Sequence, residues 1–558
     1  MVDPAEPAGR RAPDAACQIT ARLVSAFADA LGHRKAERAA AHEALRIVET
    51  HISWVILAGR LAYKIKKPIR LDFLDFSTLA RRRQACEDEL RLNRRTAPEL
   101  YLRVVPLVGT PDAPRIGLGA EGRVRDEPIE FAVEMRRFDP DALFARRLDQ
   151  GRIDGPLVDA LAERIARFHA SLAPAAPPVD AAAADDRPPA VVTARRNLAE
   201  LLADALTPPL RRRIEALATW LDARLPALEP RLLARARDGF VRECHGDLHL
   251  ANVALVDGRP VLFDCLEFDL ALRTIDVLDE TAFAFMDFLA HRRRDLAFRF
   301  LNAYLEITGD YAGVPCLPFF TLHRALVRAK VASIRFRQAG VDAAVAADLA
   351  ADVERHVAVA ETQTIVRDPL LVVTCGLSGS GKTTVGGALV EALPALRIRS
   401  DVERKRLAGL AAEARTDSPI GGGLYDAAAS ERTYDRLESL ARILLGAGTS
   451  VVVDAAFLLR RDRARFRDLA RAVGARFRIV LCDAPIETLR SRVEARSAAG
   501  RDASEAGAAV LDHQLTYYEP PEGDEAAETD RIETTQTPET VRSACAAIAD
   551  RAMRERAD

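Results

Sequence analysis

The sequence has no closely spaced cysteines, no long apolar run and almost no net charge. Its eight cysteines are scattered and none forms a C-x-x-C pair, so we expect reduced, mostly buried thiols rather than a zinc site or a disulfide framework. No uninterrupted apolar run approaches the roughly 20 residues of a membrane span, so we expect no membrane partner. The formal net charge of -2 provides no overall attraction to nucleic acid, although a local basic groove stays compatible with it.

The N-terminal residues also lack the basic and apolar regions of a signal peptide, so we expect a cytoplasmic protein. The length of 558 residues exceeds what one hydrophobic core usually accommodates, and it predicts two or three domains. A first stretch rich in Pro, Ala, Arg and Asp is predicted to be disordered. We therefore predict a disordered tail, a first domain, a helical linker and a second domain at residues 1–16, 17–335, 336–368 and 369–558.

Two kinds of pattern follow each other along the chain. Short apolar stretches separated by turn residues predict a β-rich lobe before about residue 140, in which His51–Leu57 and Leu61–Ile65 are expected to form a hairpin. Helical periodicity then dominates as far as the predicted linker. From Leu370 the predicted strands and helices alternate, which indicates an α/β domain with a parallel, doubly wound sheet.

A first phosphate-transfer motif reads Cys-His-Gly-Asp-Leu-His-Leu-Ala-Asn over Cys244–Asn252 and is followed by Leu-Phe-Asp ending at Asp264. Phosphoryl transfer requires positioned metal ions and a group that orients the nucleophile. Asp247 and Asn252 have the spacing of a kinase catalytic loop, in which the aspartate accepts the hydroxyl proton and the asparagine offers an amide oxygen to Mg²⁺. Asp264 ends the next predicted strand and would hold Mg²⁺ through its carboxylate.

This segment resembles the aminoglycoside phosphotransferase family, which has the α+β, two-lobed fold of protein kinases. The resemblance is carried by His245–His249, Asn252 and Asp264 and covers roughly residues 40–335. It implies a kinase that uses ATP and Mg²⁺.

The resemblance also implies that Lys64, in Ala-Tyr-Lys-Ile, is the strand lysine that contacts the ATP phosphates. Glu89, on the helix that follows, is then its expected ion-pair partner, and Glu87 is the alternative.

Four further residues near the first motif are open to two interpretations each. His245 and His249 have the spacing of a metal-binding pair on a helix, but a loop histidine that braces the backbone is the favoured interpretation because no third ligand is evident. Asp276 and Asp279 either brace the catalytic loop or face solvent near the start of a helix.

A second motif, Gly-x-x-x-x-Gly-Lys-Thr, follows the apolar strand Leu370–Cys375 and precedes a helical pattern, which is the context of a P-loop. Its glycines allow backbone N–H groups to point at phosphates, and the helix N-terminus adds positive potential. Lys382 is expected to bridge the β- and γ-phosphates, and the Thr383 hydroxyl is expected to meet Mg²⁺. The nucleotide-binding residues predicted here are Gly376, Ser378, Gly379, Ser380, Gly381, Lys382, Thr383 and Thr384.

The residues beyond the P-loop favour transfer to a bound substrate. Val451–Asp454 is a predicted buried strand that ends in a candidate metal carboxylate, and Ala455 follows where a motor-type ATPase usually has Glu. Asp401 is a candidate catalytic residue that orients the acceptor hydroxyl, and Arg404 is a candidate to hold an anionic group. The alternative is that Asp401 is a helix N-cap and that Arg404 is solvated.

Two arginines of a later helical pattern, Arg492 and Arg496, lie four residues apart and therefore on one helix face. They are expected to form a lid that closes on the transferred phosphate, and the alternative is an exposed charged face. Residues 369–558 resemble the P-loop small-molecule and polynucleotide kinases. The order of the two halves resembles a bacterial group of fused aminoglycoside-phosphotransferase-like and ATP-binding proteins.

The sequence thus predicts a bifunctional kinase with two ATP sites that transfers the γ-phosphate to hydroxyl groups of small polar molecules. One alternative is a nucleotide-binding regulator with little turnover. Another is a nucleic-acid-end kinase in the C-terminal half, which the near-neutral charge disfavours. The acceptors and the oligomeric state are not indicated by the sequence.

Overall fold

The computed structural model describes residues 15–36, 45–71, 74–118, 126–175, 187–204, 207–337, 342–366, 368–412, 414, 426–499 and 507–554. Residues 1–14 of the predicted tail lie outside these ranges. Ala15 and Ala16 begin the first helix, so the predicted boundary of the tail at residue 16 is wrong. The eight cysteines are unpaired and seven of them are buried, as expected. No helix in the described parts of the chain has both the length and the apolar character needed to cross a membrane.

The helices and strands of the first half are, in chain order, α1 (Ala15–Ala36), β1 (Arg46–Glu49), β2 (Ser53–Ala58), β3 (Leu61–Lys66), β4 (Arg70–Leu71), β5 (Leu74–Asp75), α2 (Leu79–Asn93), β6 (Tyr101–Thr110), β7 (Ala113–Ile116), β8 (Pro128–Arg136), α3 (Phe144–Asp149), α4 (Gly155–Ser171), α5 (Pro189–Ala203), α6 (Pro208–Arg237), β9 (Val241–Glu243), β10 (Val253–Val256), β11 (Arg259–Leu262), α7 (Leu270–Arg273), β12 (Thr274–Asp276) and α8 (Val277–Ala290).

Those of the second half are α9 (Arg294–Thr308), α10 (Leu317–Phe336), α11 (Ala343–Thr362), β13 (Leu370–Cys375), α12 (Lys382–Ala392), β14 (Ala395–Arg399), α13 (Ser400–Leu407), α14 (Ala427–Gly446), β15 (Ser450–Asp454), α15 (Arg460–Ala472), β16 (Arg476–Asp483), α16 (Ile486–Ala499), α17 (Ala508–Leu515), β17 (Thr529–Glu533) and α18 (Pro538–Arg554).

Packing divides the chain into two compact units. The first unit comprises the described residues within Met1–Ile153, Phe168–Ala175 and Val241–Glu280, and the second unit comprises the others. This division differs from the predicted domain boundaries, because helices α5, α6 and α9 to α11 belong to the same unit as the P-loop. The predicted linker contains α11, which packs against α10 and α6 and is therefore part of a helical bundle.

The first unit is built on a six-stranded antiparallel sheet of order β1-β2-β3-β8-β6-β7. The predicted hairpin is present as β2 and β3, and Gly59 adopts φ +62° in its turn, a conformation that glycine accepts without strain. Helix α1 packs on β2 and β7, and helix α2 packs on β6 and β8. Strand β3 is almost completely buried, and this holds Lys64 in the interior of the unit.

Two small antiparallel pairs hold the first motif. Strand β9 pairs with β12, and β10 pairs with β11. The β10–β11 turn uses Asp257 and Gly258, both at positive φ, as expected for a two-residue hairpin with Asp-Gly. The catalytic-loop motif connects β9 to β10, and Asp264 lies two residues beyond β11.

The second unit contains a five-stranded sheet of order β14-β15-β13-β16-β17 in which all neighbours are parallel. Every residue of the central strand β13 is buried, as expected for a strand covered on both faces. Helices α12 and α18 share one core cluster with β13, while α14 and α15 also pack on the sheet. The P-loop follows the carboxyl end of β13, so the predicted parallel sheet is present and positions the second motif.

Candidate active sites

The first site is organised around Lys64. Its ammonium group lies 2.9 Å from Glu89 Oε1 and 2.5 Å from Asp264 Oδ1. Glu89 is therefore the partner, as the resemblance implies, and the alternative is wrong because Glu87 pairs with Arg83 on the surface of α2. Burial alone would lower the pKa of Lys64, but the charges of Asp264 and Glu89 raise it well above its ordinary value.

The sequence interpretation missed a second buried lysine in the same cluster. Lys66 Nζ lies 2.5 Å from Glu89 Oε2 and also pairs with Glu267. Burial acts to raise the pKa of Glu89, but Lys64 and Lys66 lower it to about 2. Because residues 64 and 66 of a strand share one face, the alternation of β3 could have suggested Lys66, whereas nothing local indicates Glu267.

The catalytic loop brings its two predicted residues together. Asn252 Nδ2 donates to the carboxylate of Asp247 at 3.0 Å and to the Asp247 carbonyl at 2.9 Å. Because its NH₂ group points to Asp247, its amide oxygen is the atom left to meet a metal. His249 Nε2 lies 3.5 Å from Asp247 Oδ2. His249 therefore lies beside the Asp247 carboxylate.

His245 connects this loop to Asp264. Its Nε2 bonds to the Phe263 carbonyl at 2.9 Å, and its Nδ1 accepts from the Asp247 N–H at 3.4 Å. Burial lowers the pKa of His245, which fits a neutral ring with these two roles. His245 thus braces the loop backbone. For His249, which lies against the Asp247 carboxylate, the bracing interpretation stays a prediction.

Glu280 holds the backbone of the catalytic loop in place. Its Oε1 accepts from the N–H groups of His245 and Gly246 at 2.7 Å each, and its Oε2 lies 2.8 Å from His169 Nε2. Burial acts to raise the pKa of Glu280, but the bond and charge of His169 together with the other partners lower it. His169, Cys244 and Glu280 form a group with metal-ligand spacing. However, His169 and Glu280 bond to each other, and the Cys244 thiol donates to the Ile275 carbonyl at 3.5 Å.

Asp276 and Asp279 are both buried, so their predicted solvent-facing alternative is wrong. Asp276 Oδ1 accepts from the Leu278 N–H at the start of α8. The two loop N–H groups are held instead by Glu280, the next acidic residue along the same helix. The sequence correctly pointed to the start of α8 but missed Glu280 as a carboxylate that holds the loop backbone.

The second site has the P-loop geometry. Gly376, Gly379 and Gly381 have φ of 149°, 83° and 83°, which favour glycine. A Cβ on Gly376 would approach the Cys482 carbonyl oxygen to 2.5 Å. The other predicted loop residues are arranged around this turn, with Lys382, Thr383 and Thr384 opening α12 and Ser378 donating its N–H to Gln514 Oε1 at 2.8 Å.

Lys382 is held by backbone rather than by carboxylates. Its Nζ donates to the carbonyls of Gly376 at 2.9 Å and Leu377 at 2.8 Å. Burial lowers the pKa of Lys382, and the nearby charges of Asp454 and Asp401 oppose this effect. The charges of both predicted acids therefore act on this lysine, while its hydrogen bonds are to backbone carbonyls.

Of the predicted residues on helices α13 and α16, Arg492 contacts the P-loop directly. Arg399, not Asp401, is the N-cap of α13, and Arg404 is half-buried, so the alternative of a capping Asp401 with a solvated Arg404 is wrong. Arg492 donates to the Gly379 carbonyl at 3.3 Å and to the Thr534 carbonyl at 2.7 Å. The positive charge of Arg496 acts on Lys382.

The oxygen donors of both sites fit Mg²⁺, which prefers hard oxygen ligands. In the second site Asp454 is 5% exposed, and its Oδ2 accepts no hydrogen bond from the described residues. A buried carboxylate oxygen without a donor is expected to meet a cation. In the first site the Asp264 side chain is 44% exposed, and the amide oxygen of Asn252 is oriented away from Asp247.

Two family models match this chain. Residues 73–315 match the "Phosphotransferase enzyme family", and residues 371–521 match an "AAA domain". Lys64 lies just before the first matched region. Among solved structures, a gluconokinase from Sinorhizobium meliloti is 23% identical over 33% of this chain and 94% of its own, with a TM-score of 0.25. A choline kinase from Cryptosporidium parvum is 11% identical over 60% of this chain and 95% of its own, with a TM-score of 0.36.

Longer matches come from mycobacteria. Uncharacterized proteins of Mycobacterium tuberculosis and Mycobacterium bovis are each 33% identical over 470 residues, which is 83% of this chain and 88% of theirs. The fusion that the two motifs indicated is confirmed by the family models. The chain therefore belongs to the same family as these mycobacterial proteins and joins an aminoglycoside-phosphotransferase-like kinase domain to a P-loop, kinase-like ATP-binding domain.

Proposed function

We propose that this protein is an ATP- and Mg²⁺-dependent phosphotransferase with two active sites, each of which transfers the γ-phosphate of ATP to a hydroxyl group of a small polar substrate. The observation that supports it best is the direct contact of Asp247 with Asn252 and of Lys64 with Asp264 and Glu89. These are the groups that a kinase needs for the nucleophile, the metal and the phosphates. The P-loop and the residues around it supply a second, chemically different set of such groups.

In the first site Asp247 accepts the proton of the acceptor hydroxyl as the hydroxyl oxygen attacks the γ-phosphorus and the bond to the β-phosphate oxygen breaks. Lys64, held by Glu89, binds the ATP phosphates. Asn252 and Asp264 would hold Mg²⁺, which when bound neutralises the charge of the phosphates. Glu280 keeps the catalytic loop in place through two backbone N–H groups.

In the second site the P-loop N–H groups and Lys382 bind the triphosphate, and Asp401 accepts the proton of a second hydroxyl. Thr383 and Asp454 would hold the metal ion. Arg404, Arg492 and Arg496 offer positive charge to the transferred phosphate or to an anionic group on the acceptor. Ala455, in place of a glutamate that activates water, supports transfer over hydrolysis.

Small molecules are the proposed acceptors at both sites. The formal net charge of -2 and the 80 basic against 82 acidic residues give no support to a nucleic-acid substrate for either site. The cytoplasm, where ATP is abundant, is the proposed compartment.

The test is transfer of label from γ-labelled ATP into a metabolite extract by the full-length protein. We expect labelled products from the wild type, loss of one set in Asp247→Ala and loss of a different set in Lys382→Ala. Each loss should reach about 100-fold or more, the usual effect of removing a catalytic base or a phosphate-stabilising donor. Matching amounts of folded protein are verified by thermal unfolding.

Labelled products that persist in the double variant Asp247→Ala/Lys382→Ala would contradict the proposal, because neither site would then be responsible for them. Binding of ATP without any labelled product would favour a nucleotide-binding regulator. Label that enters only added oligonucleotides would favour a nucleic-acid-end kinase.

A further inference from the structure

Helix α9 covers the outer edge of the parallel sheet in the second unit. Strand β14 is the edge strand, and such a strand has backbone groups that no neighbouring strand satisfies. The Asn302 amide bonds to the Ala395 carbonyl at 3.0 Å and to the Arg397 N–H at 2.5 Å. The Tyr311 hydroxyl donates to the Arg397 carbonyl at 3.2 Å. Asn302 and Tyr311, which lie within residues 73–315 of the phosphotransferase family match, therefore satisfy backbone groups of β14, the strand that precedes Asp401.

The same helix carries a carboxylate that binds two arginines of β14. Glu306 Oε2 lies 3.1 Å from Arg397, and Glu306 Oε1 lies 2.8 Å from Arg399. The Glu306 side chain is only 21% exposed, so these ion pairs are partly shielded from water. Arg397 also donates to the Thr383 carbonyl at 3.0 Å, which links the pair to the P-loop helix.

Arg399 lies between two carboxylates. Its Nε is 3.9 Å from Asp454 Oδ2, while its Nη1 lies only 2.8 Å from Glu306 Oε1. The charges of Glu306, Asp454 and Asp401 all act on Arg399. Asp454 is the predicted metal ligand, and a guanidinium that paired with it fully would compete with a cation for the same oxygen. Glu306 thus competes with Asp454 for Arg399.

We propose that Glu306 is a positioning residue of the P-loop site, which holds Arg399 away from full pairing with Asp454 and so keeps the Asp454 carboxylate available to Mg²⁺. This inference rests on the proposed function of the second site. Metal binding at the P-loop site would then depend on Glu306 of α9, which lies within the residues that match the phosphotransferase family.

The test uses full-length protein carrying Asp264→Asn, which weakens the metal site of the first unit. Binding of ATP is measured by calorimetry without metal and at increasing Mg²⁺ concentrations. Glu306→Gln is expected to raise the Mg²⁺ concentration for half-maximal effect by about tenfold, a usual effect of changing a residue behind a metal ligand. Metal-free ATP affinity is expected to stay within about twofold, because the P-loop contacts are unchanged.

Glu391→Gln is the matched control. Glu391 is on α12 and pairs with Arg299 of the same helix α9, but it does not contact Arg399. This variant should therefore leave the Mg²⁺ requirement unchanged. An equal shift in Glu391→Gln and Glu306→Gln would show that the contact with α9 is merely structural and would overturn the proposal.

A rescue experiment keeps the proposal testable even where Glu306→Gln lowers stability. The double variant Glu306→Gln/Arg399→Gln removes the competing cation, so its Mg²⁺ requirement should return to that of the parent. Failure of this rescue, or an unchanged requirement in Glu306→Gln, would overturn the inference. Lys382→Ala in the same background separates the inference from the proposed function: an unchanged number of nucleotides bound per chain would mean that the P-loop is not an ATP site, and the proposed function of the second site would then fail first.

Discussion

The two candidate sites of this protein hold the lysines that we propose to bind phosphate in opposite ways. Lys64 is paired with the carboxylates of Glu89 and Asp264, and these charges raise its pKa although burial acts against them. Lys382 is bound by two backbone carbonyls, and burial lowers its pKa. The first site is therefore assembled from charged side chains, and the second from backbone geometry.

This difference determines which residues carry stability. In the first unit the cluster of Lys64, Lys66, Glu89 and Glu267 is buried, so removal of one member leaves uncompensated charge inside the protein. In the P-loop the lysine has no carboxylate partner among its hydrogen bonds, and burial already disfavours its charged form. Under the proposed function, phosphate binding and folding would be coupled in the first site and largely separate in the second.

The largest effect is expected from Glu89→Gln. It removes the charge that faces Lys64 and Lys66, and breaking a buried ion pair in this way typically costs about 3–5 kcal/mol. Denaturant unfolding at neutral pH, monitored for each unit by hydrogen exchange, measures this loss in the first unit. Lys382→Met is the matched change in the second unit, and it is expected to alter the free energy of unfolding by only about 1 kcal/mol. Equal losses in the two variants would remove the distinction between the sites.

A smaller effect is expected from pH. Burial, followed by the charge of Arg324, lowers the pKa of His323 in the second unit well below its ordinary value of 6.5. The unfolded chain therefore binds more protons than the folded one below about pH 6.5, and the free energy of unfolding falls as the pH drops through that value toward the lowered pKa. The decrease attributable to one histidine is at most about 1.4 kcal/mol per pH unit.

His323→Gln is expected to reduce this dependence between pH 6.5 and 5, as measured by denaturant unfolding at several pH values. His245 in the first unit has a lowered pKa of the same sign, so part of the dependence should persist in the variant. An identical pH dependence in His323→Gln and in the wild type would mean that this buried ring does not titrate on unfolding.

The sequence indicated the parts of each site that lie within one motif. The catalytic loop, the P-loop and the Lys64–Glu89 pair could be predicted because spacing and family resemblance encode them. The alternation of β3 could have suggested Lys66, but the roles of Glu267, Glu306 and Arg399 could not be predicted, because they arise from partners far apart in the chain. Lys66 and Glu267, for example, are 201 residues apart.

The carboxylate that braces the catalytic loop shows the limit within a single helix. Asp276, Asp279 and Glu280 all lie around the start of α8, and composition does not distinguish them. The helical phase and the approach of His169 select Glu280. In the same way, the change in sequence pattern predicted a linker before the P-loop domain, whereas packing places α9 to α11 in the same unit as the P-loop.

The number of nucleotides bound per chain tests the account most directly. Calorimetric titration of the full-length protein with ATP and Mg²⁺ should give two binding events in the wild type and one in Lys382→Ala. A single event in the wild type, or two events that persist in Lys382→Ala, would contradict the claim that the paired lysine and the P-loop lysine each serve an ATP site of their own.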